Sequence, residues 1–71
     1  MEVGKRVKSI LGQSERIKSI GLQMAEEDYP PKPKAVGYLE YDHEGITLKR
    51  HFEAADIPQL LGTITIFAGR L

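Results

Sequence analysis

Three prolines in four positions, Pro30, Pro31 and Pro33, constrain this chain more than any other feature. Each proline lacks an amide proton and fixes its own φ, so no helix crosses this stretch. The residue before a proline is also pushed out of the helical region. Residues 29–34, Tyr-Pro-Pro-Lys-Pro-Lys, therefore read as a stiff, extended connector. A proline-rich run of this kind also suits SH3 or WW domains, but a connector explains it more simply. It divides the chain into an N-terminal half and a C-terminal half with different patterning.

In the N-terminal half, Val3, Val7, Ile10, Ser14, Ile17, Gly21 and Met24 recur at alternating steps of four and three. At 100° per residue these positions fall on one stripe, which predicts a helix over residues 3–27 carrying a short coiled-coil-like seam. Lys5, Lys8, Ser9, Arg16, Ser19 and Gln23 take the other side. Gly4, Gly12 and Gly21 weaken such a helix by up to about 1 kcal/mol each relative to alanine. A break at Gly12, with Ser14 capping a second helix, is the alternative. Arg6-Val7-Lys8-Ser9-Ile10 also recurs as Arg16-Ile17-Lys18-Ser19-Ile20. The two copies could pair as a hairpin around residues 12–15, but neither alternates cleanly, and the helix is preferred. Glu26-Glu27-Asp28 opposes the macrodipole at a helix C-terminus and marks a solvated end.

The second half begins with a predicted β-hairpin over residues 35–52. Its strands flank Asp42-His43-Glu44-Gly45, a type I turn closed by a left-handed glycine. That register sets Tyr41 against Ile46 and Leu39 against Leu48. One face carries Ala35, Gly37, Leu39, Tyr41, Ile46, Leu48, Arg50 and Phe52; the other carries Val36, Tyr38, Glu40, Thr47, Lys49 and His51. A C-terminal helix follows over residues 56–70, with Asp56 as N-cap, Gln59 three residues on, and Pro58 in the first turn. Ile57, Leu60, Leu61, Ile64, Phe67, Ala68 and Leu71 form its apolar stripe, and Ile66 lies on the polar side. The Thr63–Phe67 run has strand propensity, which the cap and the stripe outweigh. The expected fold is α+β: long N-terminal helix, connector, two-stranded antiparallel hairpin and C-terminal helix, αββα.

At 71 residues the chain is one small domain with a marginal core. Domains of this size usually add disulfides, a metal, oligomerisation or near-ideal helix packing. There is no cysteine, and the two histidines, His43 and His51, stand apart, so homo-oligomerisation is the expected staple. The small residues Ser14 and Gly21 in the seam, and Ile66 on the last helix, mark the expected interface together with Val3, Val7, Ile10, Ile17 and Met24.

Ten cations balance ten anions, which argues against a dedicated DNA coat or a polybasic membrane anchor. No apolar run approaches the length of a membrane span, and the first residues carry no secretory leader. The expected setting is cytoplasmic, with no membrane partner. No nucleophile motif, phosphate-binding loop, dinucleotide fingerprint or metal-ligand spacing occurs. The His43-Glu44 pair is explained by the turn, and the acidic run 26–28 by solvation. No catalytic residue, metal centre or cofactor is expected.

The remaining chemistry is basic and aromatic. Lys49, Arg50 and His51 sit on one strand with Tyr38 on its neighbour, a combination that stacks bases and holds phosphates. Lys5, Lys8 and Arg16 add to it, since residues 1–24 hold five cations against two anions. Arg50 falls on the apolar face, so it needs an acid such as Glu53 or Asp56, or a ligand phosphate. Two functions follow. One is a non-enzymatic interaction protein, a homo-oligomeric regulator or inhibitor of a larger protein. The other is a binder of nucleic acid or an anionic nucleotide through the hairpin, at a subunit boundary.

Overall fold

The structure, a computed structural model, describes residues 2–27 and 32–71. The order of elements is α1 (Val3–Leu11), β1 (Ile17–Glu27), β2 (Lys32–His43), β3 (Ile46–Ala54) and α2 (Ile57–Ala68). The three strands form one antiparallel sheet in the order β1-β2-β3. The class is α+β, but the long helix and the two-stranded hairpin are both corrected. Residues 3–27 hold a helix of 9 residues and a strand of 11, giving αβββα. The acidic run keeps only Glu26 and the backbone of Glu27 in β1, and Asp28 lies outside the described residues.

The physical reason lies at residues 12–20. Gly12 ends α1, and its amide bonds the Lys8 carbonyl at 3.0 Å. Ser14 then accepts from the Arg16 amide at 3.1 Å, and its carbonyl accepts from the Ile17 amide, so it closes a turn and caps no helix. Beyond it, Ile20, Leu22 and Met24 alternate with Ser19, Gly21 and Gln23, the period of a strand. Ile17 is out of phase with Ile20, and a β-bulge absorbs the difference: Ile17 opposes Tyr41 while Ser19 opposes Glu40, leaving Lys18 as the extra residue. The repeated pentapeptide is thus helical in its first copy and extended in its second. Spacing of three puts Val7 and Ile10 on one helix face unaided; in β1 it requires the bulge.

Of the proline-rich connector, residues 29–31 lie outside the described residues, and 32–34 open β2. Pro33 opposes Glu26 on β1, but β3 has ended at Ala54, opposite Ala35. Its missing amide therefore breaks no bond to a second neighbour. The hairpin is tighter than expected. His43 opposes Ile46, Tyr41 opposes Leu48 and Leu39 opposes Arg50, a two-residue loop of Glu44 (φ 52°) and Gly45 (φ 83°). Positive φ at both positions marks a type I′ turn, whose twist matches the strands better than type I. The register moves by two residues, an even number, so every side chain keeps its expected face.

Both helices cover one face of the sheet. Ile10, Ile17, Ala35, Leu39, Phe52, Leu60, Leu61, Ile64 and Ala68 form the core there. Asp56 accepts from the Gln59 amide at 2.8 Å, and the Gln59 side-chain oxygen accepts from the Ala55 amide at 3.1 Å. Thr63 and Thr65, the strand-prone residues of α2, donate to the carbonyls of Gln59 and Leu61, which satisfies their hydroxyls within the helix. Gly37 lets α2 approach: a Cβ there would lie 3.2 Å from Leu60 and 2.6 Å from the Gly21 carbonyl. No helix among the described residues is long and apolar enough to cross a membrane.

Candidate functional site

The other face of the sheet carries no helix. Alternation brings Ser19, Gly21, Gln23 and Ala25 from β1 to it, with Val36, Tyr38 and Glu40 from β2 and Thr47, Lys49, His51 and Glu53 from β3. Across these strands runs a groove of about 420 Å³ lined by residues 21–23 of β1, 36–38 of β2 and 51–53 of β3, to which alternation brings the side chains of Gln23, Val36, Tyr38, His51 and Glu53 on this face. Gly21 and Gly37 are diagonal neighbours in the ladder, since Gly21 opposes Tyr38 and Leu22 opposes Gly37.

Tyr38 is the centre of this face. Its ring lies across Gly21, where any Cβ would collide with it. His51 is its direct partner on β3, the ring centroids 6.4 Å apart and tilted by 55°. Lys49 Nζ stands 4.4 Å from the Tyr38 centroid, within cation–π range. Glu40, opposite Lys49, accepts from Ser19 Oγ at 2.8 Å. At the groove's other end, Lys34 pairs with Glu53 at 3.2 Å.

Of the seven binding residues expected from sequence, Tyr38, Lys49 and His51 come together here. Arg50 does not: it lies on the helix-covered face, its guanidinium 4.9 Å from the Phe67 centroid and 5.8 Å from that of Phe52. An aromatic ring meets it where an acid or a phosphate was expected. Phe67 in turn meets Tyr41 and Phe52 edge-on. Arg16 clasps the hairpin tip, donating from Nε to the Asp42 carbonyl at 2.8 Å, with Nη2 2.9 Å from His43 Nδ1. Lys5 and Lys8 are exposed on α1, and Lys5 pairs with Glu2. They belong to the helical layer and do not reach the groove.

Several cations of this face stand beside carboxylates: Lys18 pairs with Asp42 and Lys34 with Glu53, and Lys49 lies across the ladder from Glu40. Asp42 sits in the densest cluster. The Lys18 ammonium, 3.1 Å from its carboxylate, holds it below the usual carboxylate range, helped by the Thr47 hydroxyl and the Arg16 charge. Among the described residues, no three His, Asp or Glu side chains are grouped to hold a metal.

The expected oligomer seam is dispersed, because it presumed a helix through residue 24. Val3, Val7 and Ile10 pack from α1 into the chain's own core, joined by Ile17 from β1. Ser14 is in the turn and Gly21 beneath Tyr38. Met24 and Ile66 remain at the surface, 51% and 64% exposed. Sequence reasoning missed Gly21, Gln23, Val36 and Glu53 as groove residues. Two-residue alternation across Ile20–Met24 was the signal that would have placed the first two. No family model, curated protein or solved structure matches this chain.

Proposed function

We propose that this chain is a non-enzymatic interaction protein of the cytoplasm that self-associates and regulates or inhibits a larger protein by contact. The observation that carries this reading is the groove on the uncovered sheet face. It offers Tyr38 and Val36 as apolar anchors, with Gln23, His51 and Glu53 as hydrogen-bonding and charged rim. Aromatic anchors with a polar surround are what protein interfaces use. The carboxylates beside Lys18, Lys34 and Lys49 favour a protein occupant over a polyanion.

The second reading, binding of nucleic acid or an anionic nucleotide, rests on the Tyr38–His51–Lys49 cluster. Three carboxylates on the same face oppose it. Salt separates the two. Tyrosine fluorescence of the purified chain is titrated with single-stranded DNA, RNA and nucleoside triphosphates at low ionic strength. No change is expected. Saturable binding that weakens steeply with salt would replace the first reading by the second. Light scattering at high micromolar concentration addresses self-association: a mass above the 8.0 kDa of one chain is expected, and the monomer mass throughout would overturn that part.

A further inference from the structure

The sheet has two edges, and they differ. β1, on one side, carries the bulge at Lys18, which twists an edge away from pairing. β3, on the other, runs nine residues against β2 with no shift of register, and contains neither proline nor glycine. Its guards are two cations, Lys49 and Arg50. In a hairpin closed by a two-residue loop, the flanking pair, His43 and Ile46, is hydrogen-bonded. Counting by twos from there, the N–H and C=O groups of Thr47, Lys49, His51 and Glu53 turn outward.

We propose that β3 pairs with β3 of a second copy, antiparallel about a twofold axis at His51, joining two three-stranded sheets into one of six. The inference rests on the self-association proposed above and names its surface. The register follows from charge. Centred on His51, each Lys49 opposes the other copy's Glu53 twice over the interface. Each Arg50 opposes Phe52, and Leu48, 38% exposed in one chain, opposes Ala54. The alternatives are poorer. Centred on Arg50, two guanidinium groups meet on the axis and Lys49 faces His51 instead of an acid. Centred on Lys49, two ammonium groups meet on the axis. Centred on Phe52, Lys49 loses its partner to Ala55. Only the His51 register turns both guards into contacts.

Charge exchange tests this. Lys49→Glu alone sets glutamates against glutamates across the axis, and Glu53→Lys alone sets lysines against lysines. Each is expected to dimerise at least about tenfold more weakly than wild type, since two attractive pairs become repulsive. Mixed, the two variants are expected to form the heterodimer, because both pairs are then complementary. Analytical ultracentrifugation of the singles and the mixture reads this. Hydrogen exchange on the unaltered chain gives a second measure. The amides of Lys49, His51 and Glu53 gain protection with rising concentration, while those of Leu48, Arg50 and Phe52 are protected throughout. A wild-type dimer that is indifferent to both substitutions, or outward amides that exchange fast at every concentration, would overturn the β3 interface and leave self-association standing. Weakened singles whose mixture does not recover would overturn the register. A wild-type chain that stays monomeric would overturn both.

Discussion

Two glycines of the sheet lie one ladder step apart, and alanine at each should have unequal consequences. At Gly37 the added methyl points to the helix side and would sit 2.6 Å from the Gly21 carbonyl oxygen and 3.2 Å from Leu22 and Leu60. The first contact is with backbone, so relief requires β1 and β2 to separate or α2 to lift. Overpacking of this kind costs about 1–3 kcal/mol. The gain from restricting the unfolded chain, roughly 0.4–1 kcal/mol, offsets only part. A net loss of roughly 1–2 kcal/mol is expected for Gly37→Ala, against a total of roughly 4–10 kcal/mol for a chain this long. At Gly21 the atoms nearest the added methyl all belong to the Tyr38 ring, which can swing into solvent. The lost ring contact and the restricted unfolded chain nearly cancel, so Gly21→Ala should stay within about 1 kcal/mol of wild type. Urea unfolding followed by far-ultraviolet circular dichroism, at one fixed low protein concentration, measures both. With a slope of ~1 kcal/mol/M, Gly37→Ala should lower the midpoint by roughly 1–2 M. Gly21→Ala should barely move it, while changing tyrosine fluorescence as Tyr38 leaves its seat. Equal midpoints for Gly37→Ala and wild type, or a larger loss for Gly21→Ala, would refute the packing described here.

Asp56→Ala removes the bond to the Gln59 amide; a loss of about 1 kcal/mol and a thermal midpoint lower by about 4–8 °C are expected by circular dichroism. Glu44→Asn relieves a non-glycine residue held at φ 52° and completes an Asn-Gly type I′ turn. It should stabilise by several tenths to about 1 kcal/mol, read as a higher urea midpoint. Asp42 is held below its ordinary pKa, so its contribution is present above the unfolded value of about 4 and is lost as pH falls through the lower folded value. Asp42→Asn should therefore lower the urea midpoint at pH 7 by a small amount, as befits an exposed pair. The gap to wild type should close as the pH is taken toward 2, and a constant gap would count against the Lys18 contact.

The hairpin, its two faces and the capped helix α2 were legible because each obeys one period from end to end. Alternation separated Arg50 from Lys49 and His51 without any structure, and it placed Tyr38 beside the latter two. The turn type was not legible, because Asp42-His43-Glu44-Gly45 satisfies a four-residue loop as well as a two-residue one. Its lack of consequence follows from parity: a shift of two residues preserves faces. The large failure was β1, and its cause is local. A helix reading of Ile17–Met24 had to enlist Ser14 and Gly21 as seam residues although neither is apolar. The strand reading had to overlook the odd spacing between Ile17 and Ile20. Only a bulge reconciles Ile17 with Ile20, Leu22 and Met24 on one face, and a bulge has no side-chain signature at Lys18. The near-identity of residues 6–10 and 16–20 shows how little the local code decides, since the same pattern is helical before Gly12 and extended after Ser14. Tertiary partners decide it: residues 6–10 lie against the helical layer, and residues 16–20 lie beside β2. The functional face inherits this. Tyr38 and His51 were visible as neighbours on a hairpin, but the hairpin alone has no groove. Gly21 and Gln23 reach it only as members of a third strand. The residue pattern that hid β1 thus also hid the site, because the groove exists only where β1 is a strand beside β2.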